Sequence, residues 1–228
     1  MRHFIITAVG VIALTSVAQA NWSDNFDSYA PGSALTGQGG WELWYAGGND
    51  GYVSDEQAAS PTNSLKNYTL SDMVQDFTGI DDGQWTMRCK VYVPSTATGD
   101  GYVIMMNQYG APAIDNWSLQ VKFDGTANIV ESQWGYQQLP LIEDQWVELQ
   151  ADIDLDNDLL DIYYGGNPLA LGLIWTNNAG SGGITSIACI DLFSNAMNGI
   201  YYDDVSLTPE PGSLALVLLG ALALLRRR

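Results

Sequence analysis

An all-β sandwich of two antiparallel sheets is the fold class these 228 residues predict. Three observations carry it. No long segment repeats its apolar residues every 3.6 positions, whereas short runs alternate apolar and polar residues, the period of a half-buried strand. The 24 glycines gather between those runs, as in Gly37-Gln38-Gly39-Gly40, Gly165-Gly166 and Gly180-Ser181-Gly182-Gly183, where turns are needed. Roughly a dozen strands result, enough that they must divide into two packed sheets.

Taken in order, the chain starts with an address. Residues 1–20 carry Arg2 and His3, then an apolar run from Phe4 to Leu14, then Ala18-Gln19-Ala20. These are the three parts of a secretory signal peptide, with cleavage expected after Ala20. The apolar run is too short for a membrane anchor. Residues 21–208 are expected to form the sandwich.

Its clearest strand is Trp85 to Val93, with Trp85, Met87, Cys89, Val91 and Val93 on one face and Thr86, Arg88, Lys90 and Tyr92 on the other. Pro94 ends it. Tyr102–Gln108 follows a loop and reads as its hairpin partner. Trp117–Phe123 and Asn128–Ser132 flank an Asp124-Gly125 turn, and Trp85 and Trp117 are both expected in the core. In Trp146–Leu155, Val147, Leu149, Ala151, Ile153 and Leu155 face inward. Asp156-Asn157-Asp158 turns into Leu159–Tyr164, and Ile184–Phe193 and Ile200–Leu207 complete the domain. Thr208–Pro211 reads as a linker.

The last twenty residues, 209–228, read PEPGSLALVLLGALALLRRR. As a helix, the apolar stretch up to Leu225 would cover about 21 Å, short of a ~30 Å hydrocarbon core. Arginines at its end favour the cytoplasmic side. Pro209-Glu210-Pro211, a short hydrophobic helix and the Arg226, Arg227, Arg228 cluster resemble the PEP-CTERM sorting signal of diderm bacteria. That resemblance implies transient inner-membrane association through the C-terminal helix. It also implies removal by an exosortase-type membrane protease and delivery to the cell surface or extracellular matrix.

Composition removes several functions. The formal charge is −18. Residues 21–208 hold every one of the 26 acidic residues except Glu210, against Lys66, Arg88, Lys90 and Lys122 alone. Such a surface repels phosphate backbones, which excludes nucleic acid as a partner. The one histidine is His3, inside the signal peptide, so Ser-His-Asp chemistry and histidine-bound zinc are excluded from the domain. Carboxylate-pair hydrolysis and oxygen-ligated calcium remain.

The ordered segments Asp24-Asn25-Phe26-Asp27-Ser28-Tyr29, Asp144-Gln145-Trp146-Val147-Glu148, Asp161-Ile162-Tyr163-Tyr164-Gly165-Gly166 and Tyr202-Asp203-Asp204-Val205-Ser206-Leu207 resemble the concanavalin-like lectin and glucanase superfamily of laminin-G-like jelly rolls. The resemblance implies a possible structural calcium between the first and last strands, held by Asp24 or Asp27 and by Asp203 or Asp204. It also directs attention to Asp152, Asp154 and Asp156, which share one strand face. Glycosidases of this superfamily carry Glu-x-Asp-x-Glu on such a strand. Here all three are aspartates, which alters the carboxyl separation that retaining chemistry needs. The alternative is a solvated strand face ending in a turn.

Two further sets stand out. Trp44, Tyr45, Trp134 and Tyr136 fall in loop-like surroundings, where exposed rings can stack on the apolar faces of sugars. Cys89 and Cys189 form either a disulfide, as an exported chain allows, or two buried thiols. The reading as a whole is an exported, surface- or matrix-sorted sandwich that binds glycan weakly without catalysis, with extracellular polysaccharide as partner. A glycoside hydrolase or polysaccharide lyase of the same fold is one alternative. A structural matrix protein without a small ligand is the other.

Overall fold

The structure, a computed structural model, describes residues 21–133, 137–176 and 182–210. The signal peptide with Ala20, the residues Trp134 and Tyr136, and the tail from Pro211 to Arg228, with the expected hydrophobic helix, lie outside them. Fifteen strands are present: β1 (Trp22–Asp24), β2 (Trp41–Leu43), β3 (Tyr52–Ser54), β4 (Ser64–Asn67), β5 (Asp72–Asp76), β6 (Gln84–Tyr92), β7 (Asp100–Gln108), β8 (Asn116–Asp124), β9 (Ile129–Ser132), β10 (Gln137–Pro140), β11 (Trp146–Asp154), β12 (Leu159–Tyr164), β13 (Asn167–Ile174), β14 (Cys189–Ser194) and β15 (Ile200–Pro209). Among the described residues no helix is long and apolar enough to cross a membrane.

The strands form two antiparallel sheets. The first runs β13-β12-β11-β6-β15-β4-β3, with β1 also on β15; the second runs β10-β9-β8-β7-β14-β5-β2. The sheets pack face to face. On β6, Trp85, Met87, Cys89 and Val91 point into the gap, and on β11 Val147, Leu149, Ala151 and Ile153 do the same, as their alternation requires. Trp41, Trp175, Phe26 and Tyr202 fill the interior. Two polar links cross it. Tyr202 on β15 donates its hydroxyl hydrogen to the Tyr102 carbonyl at 2.9 Å, and Asn67 on β4 donates to the Leu192 carbonyl at 2.7 Å. In a water-free core each bond holds the sheets in one relative position.

Three expectations are corrected. Tyr102–Gln108 is not the hairpin partner of Trp85–Val93: β6 and β7 lie in different sheets, so the segment after Pro94 crosses the sandwich. Both strands bury long apolar faces, and facing each other across the core satisfies both. The expected strand from Ile184 starts only at Cys189. The expected Thr208–Pro211 linker is strand through Pro209, and the Glu210 backbone N–H still donates to Gln84 O at 2.7 Å.

The cysteines are free and buried. Cys89 sits in the core between the sheets, whereas Cys189 belongs to a cluster on the outward face of the second sheet. A disulfide needs Cβ atoms about 4 Å apart and pointing at each other, which opposite faces of a sheet do not allow. Burial pushes both thiols up. The denatured protein is expected to titrate two thiols with Ellman's reagent and the native protein none; zero in both states would restore the bridge.

Candidate functional site

The second sheet turns one face to the core and the other outward. In register across the outward face lie Tyr102 of β7, Phe193 of β14 and Asp72 of β5; in the next row lie Ile104, Asp191 and Val74. Tyr102, Ile104, Met106, Val74 and Cys189 form a second apolar cluster there, against which Trp44, Tyr109, Trp117 and Phe193 pack. An apolar outer face with rings on it is unusual for a sheet side that water reaches.

Trp117 reaches this face through a bulge. Leu119 opposes Met105 while Trp117 opposes Met106. Two residues of the same parity thus meet neighbours of opposite parity. The extra residue turns Trp117 outward, while Leu119, Val121 and Phe123 stay inside. The expectation that Trp117 lies in the core is therefore corrected; Trp85 does lie there.

Trp44 and Tyr45 follow directly on β2, and Trp44 N–H donates to Asp72 O at 3.1 Å. Tyr109 leaves the end of β7. Ring centroids are 5.2 Å apart for Trp44 and Tyr45, 4.9 Å for Trp44 and Tyr109, 5.5 Å for Tyr45 and Tyr109, and 6.3 Å for Trp44 and Trp117. Four rings from three chain segments thus form one cluster. Polar bonds fix it. Tyr45 N–H donates to Tyr109 Oη at 3.3 Å, and the Tyr45 hydroxyl donates to the Asp115 carboxylate. Asp115 Oδ1 also accepts from the N–H groups of Gly110 and Ala111. Tyr45 remains 42% exposed, so a ligand can reach the cluster.

Below the rings a cleft of about 390 Å³ is lined by Trp44, Asp72, Ile104, Trp117, Gln120, Asp191 and Phe193. Its floor carries two carboxyls. Asp191 is 2% exposed. Neither its buried Oδ1 nor that of Asp72 has a donor among the described residues. The two carboxyls are neighbours in the cleft, and each bears on the other's protonation. Burial, with Asp72 adjacent, pushes Asp191 well above the carboxylate range; burial also raises Asp72, to about 6.

Of the other sequence candidates, Asp152 and Asp154 line a cleft of about 450 Å³ on the first sheet together with Asp161 and Glu210. Asp152 on β11 accepts from Thr86 Oγ1 and Gln150 Nε2, Asp154 from Gln84 Nε2 and both nitrogens of Asn157, and Asp156 from the Gly83 N–H. The bonds to Asp154 and Asp156 cap the turn after β11. The only lysines and arginine of the first sheet, Lys66, Arg88 and Lys90, are bound to Glu56 and Glu148.

Most of the acids that the jelly-roll resemblance offers to calcium are tied into hydrogen bonds. Asp24 accepts from Phe26 N–H, Tyr29 O–H and Trp41 Nε1–H at 2.8, 2.6 and 3.0 Å. Asp27 accepts from the N–H groups of Thr62 and Asn63 and from the Asn25 amide. Asp203 is buried and accepts from the N–H groups of Ala59, Ser60 and Asp204. These three carboxylates therefore already have donors within the protein. Asp204 lines a cleft beside Asp24. Among the described residues, however, no group of three His, Cys, Asp or Glu side chains is placed to hold a metal.

Of the four predicted glycan-contact residues, Trp44 and Tyr45 come together and Trp134 and Tyr136 are outside the described residues. Tyr109, Trp117, Asp72 and Asp191 were not singled out for the site. A tryptophan flanked by Asn116 and Ser118 was the available signal for Trp117. Asp191, alternating with Ile190 and Leu192, was the signal for the acid pair.

Neither family models nor curated proteins match the sequence. Solved structures do match its fold. A sialidase aligns with TM-score 0.56 and 8% identity over 84% of this chain, which spans only 19% of that protein. The globular domain of T. cruzi calreticulin aligns with TM-score 0.54 and 8% identity, covering 86% of this chain and 91% of the domain. A cellulose-induced protein aligns with TM-score 0.54 and 15% identity, over 82% and 96%. All share the two-sheet β-sandwich of jelly-roll type; identities this low establish the fold alone.

Proposed function

We propose that the protein binds glycan on the outward face of its second sheet without cleaving it. The single observation that carries this is the cluster of Trp44, Tyr45, Tyr109 and Trp117 above the cleft. Flat rings beside a few buried polar groups suit sugars, which present an apolar face and a rim of hydroxyls. Binding rather than hydrolysis is favoured by the acidic strand. Retaining glycosidases hold their carboxyls about 5–5.5 Å apart and inverting ones wider, and aspartate at all three of Asp152, Asp154 and Asp156, where glycosidases of this fold carry Glu-x-Asp-x-Glu, alters that separation.

The signal peptide and the PEP-CTERM-like tail support export, transient inner-membrane association and processing by an exosortase-type protease, leaving the domain at the cell surface or in the matrix. Extracellular polysaccharide is the partner that such a location offers.

Affinity electrophoresis of the purified protein against soluble polysaccharides tests the binding. Retardation by at least one polymer is expected, with no reducing ends released. Trp117→Ala should weaken it about fivefold, since one ring stacked on a sugar contributes on the order of 1 kcal/mol, and should leave the melting temperature within a few degrees. Release of reducing ends would make the protein a hydrolase. Unchanged mobility on every polymer would leave a structural matrix role.

A further inference from the structure

We propose that the Asp72–Asp191 pair is the polar floor of a subsite for an uncharged sugar and excludes uronate and sulfated units. The inference rests on the glycan reading above and adds the class of glycan.

A buried carboxyl with an unpartnered oxygen is costly unless a ligand or structural partner uses it. Both Asp72 and Asp191 leave Oδ1 without an N–H or O–H donor among the described residues, and both line the cleft. The same face of β7 and β14 is otherwise built from Tyr102, Ile104, Met106, Cys189 and Phe193, and apolar residues at 72 and 191 would continue it. Acids at this spot serve whatever enters the cleft.

The chemistry of the lining defines the guest. Trp44, Trp117, Phe193 and Ile104 offer apolar surface, Gln120 offers an amide, and the floor offers two carboxyls. With Asp72 at about 6, the floor is negatively charged at neutral pH and accepts hydrogen bonds. Sugar hydroxyls donate to such a group. A uronate or sulfate brings a second negative charge, and no lysine or arginine lines the cleft to meet it. Lys122, on the same sheet face, is held by Asp124 at 3.4 Å and Glu131 at 4.0 Å. Charge repulsion in a desolvated site is strong and poorly screened.

The test compares a neutral glucan with the same glucan oxidised at C6 to the uronate, in affinity electrophoresis at 0.5 M NaCl. That salt suppresses the long-range effect of the −18 surface but not contacts inside the cleft. Wild type should bind the neutral polymer at least tenfold more tightly than its oxidised form. Asp72→Asn with Asp191→Asn should narrow that ratio below threefold and weaken the neutral interaction about fivefold. Equal or tighter binding of the oxidised polymer by wild type overturns the inference while leaving glycan binding intact. So does a ratio unchanged in the double variant when circular dichroism shows that variant folded. The wild-type comparison needs no variant. If no polymer of either kind is bound, the glycan reading falls and the inference with it.

Discussion

Acidification from pH 8 to pH 5 raises the melting temperature of this protein. Burial holds three carboxyls above their ordinary range, Asp72 and Asp203 at about 6 and Asp191 well above the usual carboxylate value. A carboxyl with a raised folded pKa binds its proton more tightly in the folded chain than in the unfolded one, where the value is about 3.9. Its contribution is fully present below the unfolded value and is lost as pH rises through the folded one. For Asp72 and Asp203 that loss is centred near pH 6. Asp72 and Asp203 together carry on the order of 3 kcal/mol after allowance for solvent screening, or roughly 5–10 °C for a domain of this size, and Asp191 acts in the same direction. Below about pH 4 the trend reverses. There Glu56, held low by hydrogen bonds from Lys66 and Tyr201, and Asp144, held low by Ser95, are protonated. Relief of general self-repulsion acts in the same direction as the buried acids, so a variant must separate them. Asp191→Asn keeps the shape, donates an amide hydrogen to Asp72 and removes one titrating group. It should melt higher than wild type at pH 8 and show a flatter slope between pH 8 and 5. A melting temperature that falls on acidification, or an unchanged slope in the variant, refutes the assignment.

The sandwich was legible in the sequence wherever alternation was strict. On β6 and β11 each inward residue was named in advance, because period-2 patterning is what a strand with one buried face must have. Legibility failed where a strand departs from that period. In β8 the bulge between Trp117 and Leu119 moves one ring from core to surface, and no pattern within Trp117–Phe123 marks it. It failed also for strands with little buried face. In β13, Leu169 and Ala170 alone are buried, and Gly172 and Pro168 disguise the rest. Sheet partners were the least legible, since both β6 and β7 have the pattern of core strands and the sequence does not say whether they pair edge to edge or face each other. The site was half legible for a related reason. Trp44 and Tyr45 show as loop aromatics, but Tyr109, Trp117, Asp72 and Asp191 reach them from strands remote in sequence.

Replacing Asp24 by alanine should cost about 3–5 kcal/mol. Its carboxylate gathers three donors, and each loss has a separate cost. Trp41 is fully buried, so its indole N–H would be left without a partner away from water, worth about 1–3 kcal/mol. The Tyr29 hydroxyl, pushed up to about 12 by its burial and by the adjacent Asp24, would lose a charge-assisted bond. Phe26 has φ +60°, a conformation that bulky residues rarely adopt, and the Asp24 bond to its N–H holds it there while its ring fills the core. Gly39 shows how closely the hub is built. It has φ +60°, and a Cβ placed on it would lie 2.0 Å from the Tyr29 hydroxyl. Were Asp24 instead a calcium ligand, chelation and the Asp24→Ala substitution would lower the melting temperature together. The donor set predicts a different pair of results. The substitution should lower it by roughly 10 °C, while EDTA and CaCl2 at matched ionic strength give the same value. Asp24→Asn should fall between, because its amide oxygen still accepts while its NH2 faces a donor. A stabilisation specific to calcium and abolished by Asp24→Ala would show that the carboxylate serves a metal, and the hydrogen-bonded hub would have to be abandoned.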